Sequence, residues 1–340
     1  MILTRVLPGC ILVVGIAVLA MYHYAVNTYM DVPVNPQWQW SVGEQAADDS
    51  VRVRFSGTTT LLFDDGETQW MVDGWFSRPT PMQLLMGGVQ PNMVNIDYGL
   101  KANKVTKLAA IFPMHSHYDH AMDSPEVAKR TGAMLFGSES TANIARGWGL
   151  PEAQIKVVQN RQAFSIGKFI ITPIESNHFE FADPEIRARA LANPLITEPL
   201  LPPVKAFDYR VGKAYVLHVA HPKGSWVIVG SAGYKKGVLD GLDADTVFLG
   251  IGGIGTQTPE YREAFWQETV AKINPQRIIP VHYDSLIAPI TDPLRGSSVA
   301  EAFMFGGAEA ARRFLDDKAG EQKNVKFVTL PKFEEVVLYR

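Results

Sequence analysis

The stretch Met114-His115-Ser116-His117-Tyr118-Asp119-His120 decides how the rest of the sequence is read. Three imidazoles and one carboxylate fall within six consecutive positions. They come directly after the apolar run of 107–113, which is typical of a buried strand. One tight turn can direct alternate side chains at a single point, and imidazole and carboxylate ligands together suit zinc, iron or manganese. The stretch therefore predicts a metal site at the end of a strand.

Composition narrows the class of protein further. The chain has 340 residues, of which 46% are hydrophobic and 20% charged, and its formal net charge is -3. These values are typical of globular proteins, and the balanced charge disfavours nucleic acid as a partner. Cys10 is the only cysteine, which excludes an intramolecular disulfide and a cysteine-based zinc cluster. A metal site must therefore consist of histidines and carboxylates.

Residues 1–30 predict an export signal. The run from Val6 to Met21 is uncharged, and Arg5 is the only Lys, Arg, Asp or Glu before Asp31. The positive-inside rule then places the globular part outside the cytoplasm. The segment is either a retained membrane anchor, with Tyr22-His23-Tyr24 at the interface, or a signal peptide cleaved after Val18-Leu19-Ala20. We accordingly expect a protein anchored in the membrane and facing the periplasm or the extracellular side, or a secreted one; a buried N-terminal helix is the third alternative.

The remainder of the chain predicts a linker and one domain. Residues 31–50 are polar and irregular, and residues 51–340 contain two strand-rich halves that are each followed by helices. The predicted elements include strands over 51–55, 58–63 and 277–281 and a helix over 124–131. Residues 179–204 break this pattern, because five prolines stand there among apolar residues. Loops of this length are usually functional, so this insertion predicts a lid over a site. A surface insertion with only a packing role is the alternative.

The motif His115-x-His117-x-Asp119-His120 resembles the HxHxDH signature of the metallo-β-lactamase superfamily. Further along, Glu175-Ser176-Asn177-His178 is similar to the third motif of that superfamily, and residues 279–284, IPVHYD, are similar to its last motif. The resemblance covers roughly residues 51–284. It implies an α+β fold, a four-layer αββα sandwich with metals at the mouth of its two sheets.

The resemblance also implies which residues hold the metals. One metal would be held by His115, His117 and His178, and a second by Asp119, His120 and His282. Two zinc ions are the implied cofactor, with iron or manganese as alternatives. A hydroxide held by the metals would attack the substrate, and Asp119 would orient it. Diiron redox relatives typically carry Glu at the position of His117, which speaks against that activity here.

Four more residues are candidates around the site. Ser231 stands where the superfamily usually has a metal-bridging aspartate, so the second metal is expected to be held more loosely and phosphoester hydrolysis is disfavoured. Asp73 resembles the early aspartate that supports the metal-binding turn through hydrogen bonds. Tyr283 and Asp284 follow His282 directly. Tyr283 is a candidate to contact substrate, and Asp284 is a candidate to orient His282 or a neighbouring loop.

Together these features predict an extracytoplasmic metal-dependent hydrolase, most plausibly with two zinc ions. Its substrate would be a small or lipophilic molecule with an ester, lactone, amide or similar bond, and its membrane contact would be the N-terminal segment. Genuine β-lactamase activity is one alternative. A non-catalytic metal-binding protein at the membrane is the other.

Overall fold

The computed structural model describes residues 3–40, 47, 49–181 and 183–340, and for residues 3–11 the backbone alone. Residues 1–2 of the predicted export signal, 41–46 and 48 of the predicted linker, and 182 of the insertion lie outside the described residues. The helices are α1 Leu3–Asn27, α2 Pro81–Leu85, α3 Met93–Ala102, α4 Tyr118–Ala121, α5 Ser124–Thr131, α6 Glu139–Gly147, α7 Pro184–Leu191, α8 Pro259–Trp266, α9 Val299–Met304 and α10 Ala308–Glu321. The strands are β1 Val51–Phe55, β2 Leu61–Asp64, β3 Gln69–Val72, β4 Leu108–Phe112, β5 Met134–Gly137, β6 Ile155–Val157, β7 Phe164–Ile166, β8 Phe169–Ser176, β9 Ala214–His221, β10 Gly224–Val229, β11 Thr246–Gly250, β12 Arg277–Val281, β13 Lys326–Phe327 and β14 Val336–Tyr339.

The strands of the described chain form two sheets. Sheet 1 has the order β14-β1-β2-β3-β4-β5-β6, and sheet 2 has the order β13-β12-β11-β10-β9-β8-β7. In both sheets the chain first runs through antiparallel neighbours and then continues in parallel pairs, β3 to β6 in sheet 1 and β10 to β13 in sheet 2. The predicted mixed α+β fold with two sheets is confirmed.

Apolar side chains fill the space between the sheets. Phe63 of β2 stacks on Trp70 of β3 with ring centroids 4.9 Å apart, and on Trp226 of the opposite sheet at 5.0 Å. Helices cover the outer faces: Val127 of α5 and Ile111 of β4 share one buried cluster outside sheet 1. Trp266 of α8 and Phe327 of β13 stack at 6.2 Å. Because each sheet is covered on both faces, its central strands contain apolar runs, such as residues 61–63 of β2 and 226–229 of β10.

The N-terminal helix α1 stands outside this core. Its side chains from Leu12 to Tyr24 are exposed, so the alternative of a buried N-terminal helix is wrong. Within the described residues, no helix combines the length and the apolar character that crossing a bilayer requires. The predicted anchor or signal segment stays a prediction.

The turn between β1 and β2 departs from the sequence-based expectation of a strand over residues 58–63. The strand begins only at Leu61, because Gly57 and Thr58 adopt φ values of 100° and 53°. Positive φ cannot continue an extended strand. A side chain at Gly57 would meet the carboxylate of Asp284, so this turn lies against the segment that follows β12. The turn thereby reaches the predicted metal site.

Candidate metal centre

The predicted ligands come from three loops, each at the end of a strand. His115, His117 and His120 follow β4, His178 follows β8, and His282 follows β12. His282 has a φ of 58°, a left-handed conformation that ends β12 abruptly. Since β4 belongs to sheet 1 and the other two strands to sheet 2, the site forms where the two sheets meet.

The first ligand group consists of His115, His117 and His178, whose ligand atoms all lie within 4.8 Å of one another. His115 Nε2 is 3.0 Å from His117 Nδ1. His178 Nδ1 donates to the carbonyl of Phe179 at 2.8 Å, which leaves its Nε2 free to bind a metal. Burial lowers the pKa of His117 to about 4 and the pKa values of His115 and His178 well below the usual range. All three imidazoles are therefore neutral, the form that binds metals.

The second ligand group consists of Asp119, His120 and His282, again with ligand atoms within 4.8 Å of one another. Asp119 Oδ2 is 3.3 Å from His282 Nε2 and 3.6 Å from His120 Nε2. Burial alone would raise the pKa of Asp119, but the neighbouring His120 and a hydrogen bond with His282 hold it below its usual value. Asp119 is thus a carboxylate that faces two imidazole nitrogens.

Asp73 supports this second group in the way its predicted role requires. The side chain is fully buried, its Oδ2 is 2.7 Å from His120 Nδ1, and its Oδ1 accepts the N–H of Met114 at 2.8 Å. Burial favours a neutral His120, but the Asp73 carboxylate outweighs that and raises the pKa of His120. His120 therefore keeps a proton on Nδ1 and presents Nε2 to the metal position.

A clamp made by the β1–β2 turn holds the loop that carries His282. The N–H of His282 donates to the carbonyl of Thr58 at 2.6 Å, and the N–H of Thr58 donates to Asp284 Oδ1 at 2.6 Å. The buried Arg78 lies 3.8 Å from Asp284 Oδ2 and 4.1 Å above the ring of Trp75. Through Thr58, Asp284 is thus connected to the loop that carries His282, while its role in orienting that histidine stays a prediction. Sequence reasoning missed Thr58 and Arg78. The one signal for Arg78 in the sequence is that a single cation follows closely after the apolar Trp75-Phe76 pair.

Replacing Asp284 by asparagine is expected to weaken the second metal about 10-fold and leave the first unchanged, because groups that orient ligands typically change metal affinity 10- to 100-fold. Competition with a chelator, followed separately for the first and the second metal, measures these two affinities. Asp292→Asn is the matched control, since Asp292 pairs with Arg295 at the surface, at 3.8 Å. Equal weakening of the binding of both metals would contradict a clamp that acts specifically on His282.

Ser231 and Tyr283 have different surroundings. Ser231 follows β10 and lines a cavity of about 10 Å³ together with His115, so it lies beside the first ligand group. Its Oγ accepts the N–H of Gly233 at 3.3 Å. Tyr283 is buried in the core, with its ring 6.0 Å from that of Phe55. The structure therefore brings Ser231 to the site and places Tyr283 away from the cleft that begins there.

An open cleft of about 820 Å³ begins at His178. Tyr234 and Tyr261 form part of its wall, with ring centroids 5.1 Å apart, and Leu191 of α7 adds an apolar contact. Lys236 brings a cation to the same cleft. None of these lining residues carries a recognisable motif, so sequence reasoning did not find them.

Helix α7, within the predicted insertion, lies against the first ligand group. The carbonyl of Ala190 is 3.5 Å from His117 Nε2. The following residues are tied down, because Asn143 Nδ2 donates to the carbonyl of Ile196 at 2.8 Å and Ser140 Oγ accepts the N–H of Ile196 at 3.0 Å. The insertion therefore reaches the site, while its role as a lid stays a prediction.

Comparisons with known proteins find relatives described as metal-dependent hydrolases and solved structures with a similar fold. No protein-family profile matches the chain. A UPF0173 metal-dependent hydrolase from Pyrobaculum islandicum is 24% identical over 257 residues, which cover 74% of this chain and 92% of that protein. A crystal structure from Veillonella parvula, described as a possible metal-dependent hydrolase, matches with a TM-score of 0.50 and 13% identity over 85% of this chain and 99% of its own. CmlA, a diiron β-hydroxylase from Streptomyces venezuelae, matches with a TM-score of 0.51 and 11% identity over 87% of this chain and 55% of its own.

Proposed function

We propose that this chain, a metal-dependent hydrolase of the metallo-β-lactamase superfamily, uses two zinc ions to hydrolyse an ester, lactone or amide outside the cytoplasm. The observation that carries the proposal is the pair of adjacent ligand groups, one of three neutral imidazoles and one of a carboxylate with two imidazoles. Export is supported by the uncharged N-terminal run behind Arg5.

The donor atoms support zinc in both positions. Three imidazoles are the ligand set of catalytic zinc sites, and two imidazoles with one carboxylate also bind zinc. Two imidazoles with one carboxylate bind non-haem iron as well, and CmlA is a diiron protein. Metal analysis of the purified chain distinguishes zinc from iron.

Zinc bound here would supply a nucleophile derived from water near neutral pH and would polarise the acyl oxygen of the substrate. Asp119 is held as a carboxylate and can accept a hydrogen bond from the attacking water, which orients its lone pair. The water oxygen bonds to the acyl carbon, and the bond from that carbon to the leaving oxygen or nitrogen breaks. The leaving atom receives the proton that the attacking water loses. Tyr234 and Tyr261 in the cleft beside His178 provide aromatic surface for the acyl group.

Metal analysis of the full chain, purified without added metal, tests the proposal. We expect about two zinc ions per chain in the wild type and about one in His120→Ala, because His120 belongs to only one ligand group. His218→Ala is the control, since His218 contacts the carbonyl of Asp243 at 3.3 Å, outside both groups.

Two results would contradict the proposal. Iron in place of zinc would remove the zinc assignment. Bound zinc without hydrolysis of any member of a panel of p-nitrophenyl esters, lactones, amides and β-lactams would instead favour the non-catalytic metal-binding alternative.

A further inference from the structure

From Leu12 to Met21 the side chains of α1 are apolar and exposed on every side of the helix. Leu12, Val13 and Val14 are 61–67% exposed at three consecutive positions, which together cover more than half of the helix circumference. Ile16 and Leu19 are 58% and 68% exposed, and residues 6–30 contain no Lys, Arg, Asp or Glu. A protein partner covers one stripe of a helix, whereas acyl chains can surround it.

The end of α9, a helix that contacts α1, is also apolar and exposed. Phe303 is 93% exposed, and Met304 and Phe305 beside it are each 41% exposed. Contiguous exposed apolar residues of this size on a globular domain mark a contact surface. Two backbone hydrogen bonds of 2.9 Å join α9 to the end of α1, from Met30 N–H to the Ser297 carbonyl and from Val299 N–H to that of Thr28.

The same segment reaches the rim of the metal centre. Gly307, two residues after Phe305, packs so closely on Gly255 that a side chain at Gly255 would meet its carbonyl oxygen. Gly253, in the same turn, packs on the ring of Phe179, which follows the ligand His178. A chain of direct contacts therefore connects the exposed aromatic end of α9 with the entrance to the site.

We propose that α1 and residues 303–305 together rest in the surface of a lipid bilayer, so that the metal centre takes acyl substrates carried by amphiphiles at that surface. The substrate part rests on the proposed hydrolase function, while the lipid contact does not. An apolar helix without charged side chains is stabilised among acyl chains, and exposed aromatic side chains such as Phe303 favour the boundary between headgroups and acyl chains.

An environment-sensitive label tests the lipid contact without reference to activity. In the full chain with Cys10→Ser, an NBD label is attached at Phe303→Cys or, as the control, at Ile170→Cys. Ile170 is 48% exposed on β8, in a different part of the surface. On addition of phosphatidylcholine vesicles we expect a blue shift and stronger emission at position 303 and no change at 170. No change at 303, or a change that protein concentration alone produces without vesicles, would overturn the proposal, the latter in favour of contact between copies of this chain.

A paired assay tests the substrate class. The double variant Phe303→Ser and Phe305→Ser is expected to hydrolyse a long-chain ester in phosphatidylcholine vesicles about tenfold more slowly than wild type, because it loses two apolar contacts with lipid. Its rate on a soluble short-chain ester should stay unchanged, and Ile170→Ser should change neither rate. Equal effects on both esters would overturn the proposed substrate class. If the wild type hydrolyses neither ester, the proposed substrate class is overturned while the label still reports on the lipid contact. The proposed function itself fails only if no ester, lactone, amide or β-lactam of the panel is hydrolysed.

Discussion

Replacing Asp119 by asparagine lowers the rate of hydrolysis by about 10³-fold, the largest loss we expect from any isosteric change in this chain. The carboxylate is the single negative charge among the six candidate ligands, and it faces the ring nitrogens of His120 and His282. Asparagine keeps the shape but loses the charge that binds a metal and orients water. Steady-state kinetics on the best substrate of the ester and lactone panel, together with metal content, measure the effect.

The control for this change is Asp97→Asn. Asp97 is an exposed carboxylate on α3 that pairs with Arg130, so its replacement changes the net charge equally without reaching the site. Activity of Asp119→Asn within about 10-fold of wild type would show that Asp119 is not needed for the chemistry.

Replacing Asp73 by alanine is expected to cost both stability and metal binding. The change leaves two buried donors, the Met114 N–H and the protonated His120 Nδ1, without an acceptor. Each unsatisfied buried group costs about 1–3 kcal/mol, so we expect a loss of about 3 kcal/mol or more in the free energy of unfolding. Metal affinity at the second group should fall about 10- to 100-fold, because the ring of His120 loses its orientation.

Urea denaturation and metal titration of the same preparations measure these two losses. Asp240→Ala is the control, because Asp240 forms a surface ion pair with Lys272 and surface substitutions usually change stability by less than about 0.5 kcal/mol. A loss of stability with unchanged metal affinity would limit Asp73 to a structural role.

Much of the fold could be predicted because its strands are buried. Predicted strands such as Val51–Phe55 and Arg277–Val281 and the predicted helix Ser124–Thr131 agree with the structure, since apolar runs and a proline at the start of a helix are local signals. The β1–β2 turn was mispredicted, because the positive φ of Thr58 depends on contacts with Asp284, a residue far away in the sequence.

The neighbours of His282 show the same division between local and long-range information. Asp284 was predicted to orient this histidine or a neighbouring loop, and in the structure it contacts Thr58, which binds the backbone of His282, and lies beside Arg78. Tyr283 was predicted as a residue that contacts substrate, but its ring lies in the core. The burial of this ring depends on the left-handed turn at His282 and on packing against Phe55, a residue far away in the sequence, so no local pattern specifies it.

By itself, the sequence determined the donor atoms of the centre: the HxHxDH turn, and a histidine after each of two later strands. The donor atoms can be predicted from the sequence because they depend only on the type of each side chain and on the strand pattern of its neighbours in the chain. Only the tertiary structure decided which donors meet within 4.8 Å, where the cleft opens, and that Gly307, after α9, packs on the turn that contacts Phe179. These three features depend on how the two sheets pack and on which turns, far apart in the sequence, contact each other. Such long-range contacts leave no local pattern in the sequence.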